Sequence, residues 1–155
     1  MHRSTYLPIS VGRTQKRDMR SQFAALCYRT VKDKPQVLLI TSRDTGRWIV
    51  PKGWPMDGKT PHEAAAVEAF EEAGARGRVF DHVLGMYSYE KQLDDGSTLP
   101  CIVTLFPFKV QSLVSDYPEA GERKRKWFSP RKAATKVDEP ELARILAQFD
   151  PRLSR

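Results

Sequence analysis

The segment GWPMDGKTPHEAAAVEAFEEAGA, which starts at Gly53, constrains the fold more than any other part of the chain. Thr60 and Glu63 have the spacing of a capping box, and Pro61 occupies the first helical position between them. Gly74 is the residue type that most often ends a helix. The sequence therefore predicts a well-delimited helix that follows a loop rich in glycine and proline.

This helix, predicted from Pro61 to about Ala73, carries three carboxylates on one stripe. At about 100° per residue, positions i, i+3 and i+4 share a face, and here they are occupied by Glu68, Glu71 and Glu72. The opposite side, predicted to pack against a sheet, consists of Ala66, Phe70 and Ala73. Three neighbouring carboxylates repel one another unless a cation lies between them, and hard divalent cations prefer such oxygen ligands. An ExxEE pattern alone is more often a solvated helix face, so its context decides.

The context resembles the Nudix box, in which a glycine, five residues, a glutamate and seven residues precede R-E-U-x-E-E-x-G-U, with U apolar. The residues that match in register are Gly53, Glu68, Ala69, Glu71, Glu72, Gly74 and Ala75. Lys59 stands where the pattern has glutamate, and Val67 stands where it has arginine. The resemblance implies that the missing arginine would orient the catalytic carboxylates, and that the missing glutamate would assist metal binding or the base.

Strand-like segments lie on both sides of the helix. FAALCYR and QVLLITSR are separated by the polar turn VKDKP, and RWIV forms a very short third strand. After the helix, RVFDHVLGMYSYE and LPCIVTLFPFKV are predicted as long strands that flank LDDGS. A short strand KWFS, a helical turn SPRKAATKV and an amphipathic helix EPELARILAQF complete the chain. The pattern indicates an α/β fold with helices on both sheet faces, and the resemblance makes it a Nudix-type α/β/α sandwich with a mixed sheet and a central catalytic helix.

Length and composition indicate one globular domain. The 155 residues, 40% hydrophobic, are interpreted as a domain over residues 21–150 that follows a flexible basic arm over residues 1–20. No apolar run is long enough to cross a membrane or to form a secretory signal, so we expect a cytoplasmic protein. Cys27 and Cys101 are expected to be buried free thiols. The formal charge of +7 attracts polyanions without selecting one.

The resemblance extends from about Ser21 to about Leu146 and suggests a branch of the family. SRDTGRWIVPKGWP and GERKRKWFSPRKAATKV resemble parts of diphosphoinositol polyphosphate phosphohydrolases, and PKG resembles diadenosine polyphosphate hydrolases. This likeness implies phosphate contacts from the following residues: Arg20, Ser42, Arg43, Lys52, Arg123 and Arg125. Arginine suits the task, because its planar fork makes bidentate contacts with phosphate. The alternative for RKRK, a solvated or nucleic-acid-binding strip, stays open, but no recognised nucleic-acid module accompanies it, so nucleic acid is the less favoured partner.

These observations predict metal-dependent hydrolysis of a phosphoanhydride bond in a small polyphosphorylated molecule, of diphosphoinositol polyphosphate or dinucleoside polyphosphate type. Mg²⁺ or Mn²⁺ bound by Glu68, Glu71 and Glu72 would activate the attacking water. The resemblance implies a further carboxylate outside the box as base or ligand. Glu119 and Glu122 are the candidates by position, and Glu90 is a weaker one.

Two other functions compete with this prediction. Lys59 and Val67 favour a non-catalytic Nudix-fold domain that binds a ligand or regulates, whereas the basic arm and RKRK favour an RNA- or membrane-associating protein. Trp54 has two interpretations of equal weight: it stacks on a substrate ring, or it plugs the end of the sheet. The sequence predicts neither the true substrate nor the oligomeric state.

Overall fold

The computed structural model describes residues 20–153. Within this range the strands are β1 (Arg20–Val31), β2 (Lys34–Thr41), β3 (Trp48–Ile49), β4 (Lys52–Gly53), β5 (Ala75–Val79), β6 (Gly85–Gln92), β7 (Thr98–Leu113) and β8 (Arg125–Phe128). The helices are α1 (Pro61–Ala73), α2 (Pro130–Lys136) and α3 (Pro140–Ala147). The predicted arm lies outside the described residues except for Arg20, which begins β1.

The strands form one mixed sheet with β1 and β7 at its centre. The order is β3-β2-β1-β7-β5, and β4 pairs with β1, β6 with β7 and β8 with β2. β1 runs parallel to β7 and antiparallel to β2. The tight β1–β2 hairpin turns at Lys32 and Asp33, whose φ angles of 51° and 65° are both positive, as a twisted two-residue turn requires.

Helices cover both faces of this sheet. On one face, α1 packs Ala65, Ala69 and Ala73 into a cluster with sheet residues such as Ala25 and Phe106. On the other face, Ala133 of α2 and Leu142 and Leu146 of α3 join a second cluster, which includes Leu26, Tyr87 and Val103. The predicted α/β/α sandwich with a mixed sheet is confirmed.

The orientation of α1 differs from the prediction. Its core face is formed by alanines at positions 65, 69 and 73. Ala66 is only partly buried. Phe70 is also only half-buried, and the guanidinium carbon of Arg76 lies 5.3 Å from the centre of its ring. The helix is rotated so that the smallest side chains meet the sheet. The glutamate stripe therefore lies beside the core face instead of opposite it, and Glu72 is buried.

The predicted strand RVFDHVLGMYSYE is broken in two. β5 ends at Val79 and β6 begins at Gly85, and both pair with the same side of β7. Between them, Phe80 N donates to Pro107 O at 2.9 Å, but Pro107 has no N–H to return a bond. The ladder cannot continue through this point, so the chain leaves the sheet and re-enters it after five residues, Phe80 to Leu84.

Cys27 and Cys101 are free and buried, as predicted. In residues 20–153, no helix is long and apolar enough to cross a membrane. The cytoplasmic location remains a prediction.

Candidate active site

A cleft of about 560 Å³ opens where the acidic stripe of α1 meets β4 and the loops around it. Glu68, Glu71 and Glu72 all line it, together with Gly53 and Glu119. The three box glutamates are therefore gathered at one cavity, in the arrangement that the helix spacing predicts.

β4 holds two of these glutamates in place. The backbone N–H of Lys52 donates to Glu72 Oε1 at 3.3 Å. A Cβ atom at Gly53 would overlap the carboxylate of Glu68, so that carboxylate occupies space that only glycine leaves open. Glycine is thus required at this position of the box for a steric reason, because a residue without a side chain lets β4 approach the acidic stripe of α1.

The carboxylates are close enough to perturb one another. Burial, the charges of Glu72 and Glu71, and a hydrogen bond to Glu71 that stabilises the protonated form together raise the pKa of Glu68 to about 8. Burial also raises the pKa of Glu72 to about 7, although the nearby charges of Arg123 and Lys52 oppose this shift. Without a cation, Glu68 and Glu72 therefore retain protons near neutral pH.

A divalent cation would relieve this repulsion. Among residues 20–153, no three carboxyl, imidazole or thiol groups converge closely enough to form a complete metal site by themselves. That result is compatible with Mg²⁺, which takes one or two carboxylates and fills its octahedral shell with waters and substrate phosphates. Oxygen donors without histidine or cysteine are also the set that hard cations prefer. Glu68, Glu71 and Glu72 fit such an ion.

Glu119 joins the cleft from the loop before β8. Its backbone N–H donates to Glu71 O at 3.0 Å, which fastens the loop to α1. Its carboxylate accepts a hydrogen bond from Arg123 Nε at 3.0 Å. Glu122, the other predicted candidate, is exposed, does not line the cleft, and pairs with Arg43 at 3.2 Å. Glu90 lines the cleft as well. The geometry favours Glu119 over Glu122 as the additional carboxylate.

The six predicted phosphate contacts divide into two groups. Ser42, Arg43, Lys52 and Arg123 line the cleft, whereas Arg20 and Arg125 do not. Arg125 donates to the carbonyls of Ala73 at 2.8 Å and Val114 at 2.9 Å. It therefore satisfies the C-terminal end of α1, and its contacts do not support a role in substrate binding.

Arg20 begins β1 at the edge of the described chain, where it pairs in register with Cys101. This position lies beyond the residues that line the cleft. Ser42 has a local role, since its hydroxyl accepts hydrogen bonds from the backbone N–H groups of Thr45 and Arg47, both at 3.3 Å. It shapes the loop that presents Arg43.

Another part of the cleft contains residues that the sequence did not indicate. Arg47 pairs with Glu139 at 2.7 Å, and the Glu139 side chain is only 8% exposed. Its second oxygen, Oε1, is buried and has no hydrogen-bond partner among the described residues. Glu139 precedes α3 and lies 92 positions from Arg47, so no local pattern could have joined them.

Aromatic rings accompany these polar groups. Tyr89 donates its hydroxyl to Gln22 Oε1 at 2.6 Å, and the ammonium of Lys52 lies 4.9 Å from the Tyr89 ring centre. Burial lowers the pKa of Lys52 to about 8. Trp54 also lines the cleft and is 39% exposed. Its indole is therefore available at the cavity and does not plug the sheet.

The family model of the NUDIX domain matches residues 20–149. This range includes both faces of the sheet, α1 and every cleft residue described above. The chain belongs to the Nudix family.

Two curated relatives and one solved structure illustrate the similarity. Nudix hydrolase 12, mitochondrial, of Arabidopsis thaliana is 30% identical over 120 residues, 76% of this chain and 59% of that protein. Human diphosphoinositol polyphosphate phosphohydrolase 3-alpha is 32% identical over 111 residues, 70% of this chain and 63% of that protein. The chain thus spans about 60% of the length of these relatives. A Caenorhabditis elegans Ap4A hydrolase binary complex shares the fold, with a TM-score of 0.61, 21% identity and coverage of 84% and 94% of the two chains.

Proposed function

We propose that this chain hydrolyses a phosphoanhydride bond of a small polyphosphorylated substrate with the help of a divalent cation. The observation that carries the proposal is the acidic cluster of Glu68, Glu71 and Glu72, whose repulsion calls for a cation, in the same cleft as Arg43 and Lys52. Metal ions and cationic side chains together make such a cleft compatible with phosphate groups. Relatives named as hydrolases and phosphohydrolases support it.

Each residue has a defined role in this proposal. The three box glutamates would hold Mg²⁺ or Mn²⁺, which would supply Lewis acidity toward phosphate oxygens and water. Arg43 and Lys52 bind substrate phosphates and orient the anhydride for in-line attack. The hydrogen bond from Arg123 and the ion pair with Arg43 both reach Glu119 Oε1. Oε2 of Glu119 is therefore the atom that we propose takes the proton of the attacking water.

The charge of the cleft favours one substrate type over the other. Seven acidic and five basic side chains of residues 20–153 line it. Three of the basic ones, Arg43, Arg47 and Arg123, are already paired with glutamates. A fully phosphorylated inositol ring requires many unpaired cationic donors, whereas a nucleotide places its charge on one polyphosphate chain. We therefore propose a dinucleoside polyphosphate type of substrate, with Trp54 and Tyr89 available for stacking.

A substrate panel tests both levels of the proposal. Dinucleoside polyphosphates, inositol pyrophosphates and nucleotides are incubated with Mg²⁺ or with EDTA, and phosphate-containing products are separated by ion-exchange chromatography. We expect Mg²⁺-dependent turnover that is fastest with a dinucleoside polyphosphate. Faster turnover of an inositol pyrophosphate would contradict the substrate assignment alone. Ligand binding by calorimetry without turnover of any compound would contradict hydrolysis and support the non-catalytic alternative.

A further inference from the structure

Arg123 lines the cleft but is almost completely buried, with 8% of its side chain exposed. Arg43, by contrast, has a side chain that is 56% exposed in the same cleft. An arginine that serves mainly to capture phosphate is expected to keep donors accessible to the substrate. Arg123 therefore requires a different explanation.

All three nitrogens of the Arg123 guanidinium face protein oxygens. Nε donates to Glu119 Oε1 at 3.0 Å, and Nη1 donates to Thr41 O at 3.1 Å. Nη2 lies 4.0 Å from Glu72 Oε1, at ion-pair distance. One planar group thus spans the proposed metal ligand Glu72 and the proposed base Glu119, and it is itself held by the end of β2.

The backbone around Arg123 makes this arrangement stiff. Thr41 N donates to Lys124 O at 3.0 Å, and Lys124 N donates to Thr41 Oγ1 at 2.9 Å. These two bonds join the end of β2 to the residue that follows Arg123. A guanidinium anchored in this way has little freedom to move with its carboxylate partners, so it can define their positions.

α1 contains no lysine or arginine that could do the same from within the helix. Val67, which stands where the box pattern has arginine, offers no hydrogen-bond donor beyond its backbone and is half-buried. The acidic stripe must therefore receive its cationic partner from another element. Arg123 supplies such a cation, since it contacts Glu72 of α1 and also Glu119.

We propose that Arg123 is the positioning residue of this site and fixes Glu72 relative to Glu119 from the loop before β8. It acts through these two carboxylates and does not need to contact the substrate. The proposal rests on the proposed hydrolytic function, and it replaces phosphate binding as the main role that the sequence suggested for Arg123.

Steady-state kinetics of Arg123→Gln separates positioning from phosphate binding. At saturating Mg²⁺, loss of a residue that orients metal ligands is expected to lower kcat about 10- to 100-fold. KM should change by less than about threefold, because the substrate loses no direct contact. A raised KM with an unchanged kcat would show that Arg123 binds substrate and would overturn the proposal.

Arg125→Gln is the matched control. Arg125 belongs to the same segment and binds backbone carbonyls outside the cleft, so its loss weakens the loop without removing a partner of Glu72 or Glu119. We expect a lower Tm but a kcat close to wild type below that Tm. Equal losses of kcat in the two variants would mean that loop stability alone is responsible, and would refute positioning.

The conservative variant Arg123→Lys should remain impaired, since the compact ammonium group of lysine cannot span three separate acceptors as a guanidinium does. Full activity in this variant would also refute the positioning role of Arg123.

A structural readout distinguishes this proposal from the hydrolytic one. In ¹³C NMR spectra of glutamate-labelled protein, Arg123→Gln should move the carboxyl resonances of both Glu72 and Glu119, whereas Arg125→Gln should leave both in place. Absence of turnover in wild type together with these shifts would reject the hydrolytic function while retaining the geometry. Unmoved resonances in Arg123→Gln would reject the positioning role, whatever the activity.

Discussion

The helices on the two faces of the sheet contribute core side chains of very different size. Under α1 the helix contributes alanines at positions 65, 69 and 73, whereas α3 contributes Leu142 and Leu146 to a cluster that contains Tyr28, Tyr87 and Phe149. Small residues allow α1 to lie close to the sheet, and its acidic stripe then reaches β4. The comparison indicates that the α1 face sets the geometry of the site, while the opposite face contributes more of the apolar burial that stabilises the fold.

The largest effect on the α1 side is expected from Glu72→Gln. Losing this carboxylate should lower Mg²⁺-dependent turnover about 100-fold or more, since it removes a proposed metal ligand together with its link to Arg123. Stability should be equal or higher, because the substitution removes a buried charge whose pKa is already raised. Kinetics and urea unfolding measure the two effects. Wild-type turnover in this variant would remove Glu72 from the site.

On the opposite face, Leu146→Ala should have the opposite pair of effects: it should lower stability and leave turnover almost unchanged. Leu146 is fully buried, and such a truncation costs about 2–5 kcal/mol of unfolding free energy. The kcat measured well below the lowered Tm should stay within about threefold of wild type. A large loss of kcat in the folded variant would show that this face also controls the site.

Ala69→Val tests whether the close packing of α1 against the sheet controls the geometry of the cleft. Ala69 is completely buried between helix and sheet, so added methyl groups should cost about 1–3 kcal/mol of stability through overpacking. Because the strain lifts α1 away from β4, kcat should fall as well, unlike in the leucine truncation. Chemical denaturation and kinetics on the same sample provide the test. A stability loss with unchanged kcat would mean that the spacing of α1 does not govern the cleft.

The smallest expected effect is a pH dependence of the metal-free protein. The folded-state pKa values of Glu68, about 8, and Glu72, about 7, lie above the ordinary value of 4.5. The folded state therefore binds more protons between these values, so unfolding free energy should fall as pH rises from about 5 to about 8. Urea titrations in EDTA measure the slope, which should be shallower in Glu68→Gln. A stability that rises over this range in wild type, with no difference in the variant, would contradict the raised pKa values.

The parts of the fold that follow from local signals were predictable. The caps of α1 involve residues three apart, and the structure shows the capping box between Thr60 and Glu63 that the sequence suggests. The rotation of α1 was not predictable, because Ala65 and Ala66 are equally apolar and only the sheet surface selects between them. The break after Val79 depends on Pro107, which lies in a strand formed much later in the chain.

The candidate site shows the same division. The spacing of Glu68, Glu71 and Glu72 along one helix placed them together without reference to other elements. Arg123 and Arg125 look alike in the sequence, and only tertiary contacts separate them: Arg123 reaches Thr41 and Glu72, whereas Arg125 reaches the end of α1. Glu139 joins the cleft through a partner far away in the chain, so no motif could reveal it.

The parallel pairing of β1 with β7 also affects how the protein folds. It aligns Arg20 with Cys101 and Tyr28 with Lys109, so the central ladder closes a loop that contains both α1 and β4. Such long-range pairing is slow, because the entropy of loop closure is lost before the strands are stabilised. During synthesis on the ribosome, one edge of the apolar β1 strand therefore stays unpaired until β7, its partner in the sheet, has been synthesised. We therefore expect the candidate cleft to be completed late in folding, together with the centre of the sheet, and a nascent chain that stops before β7 to depend on chaperones.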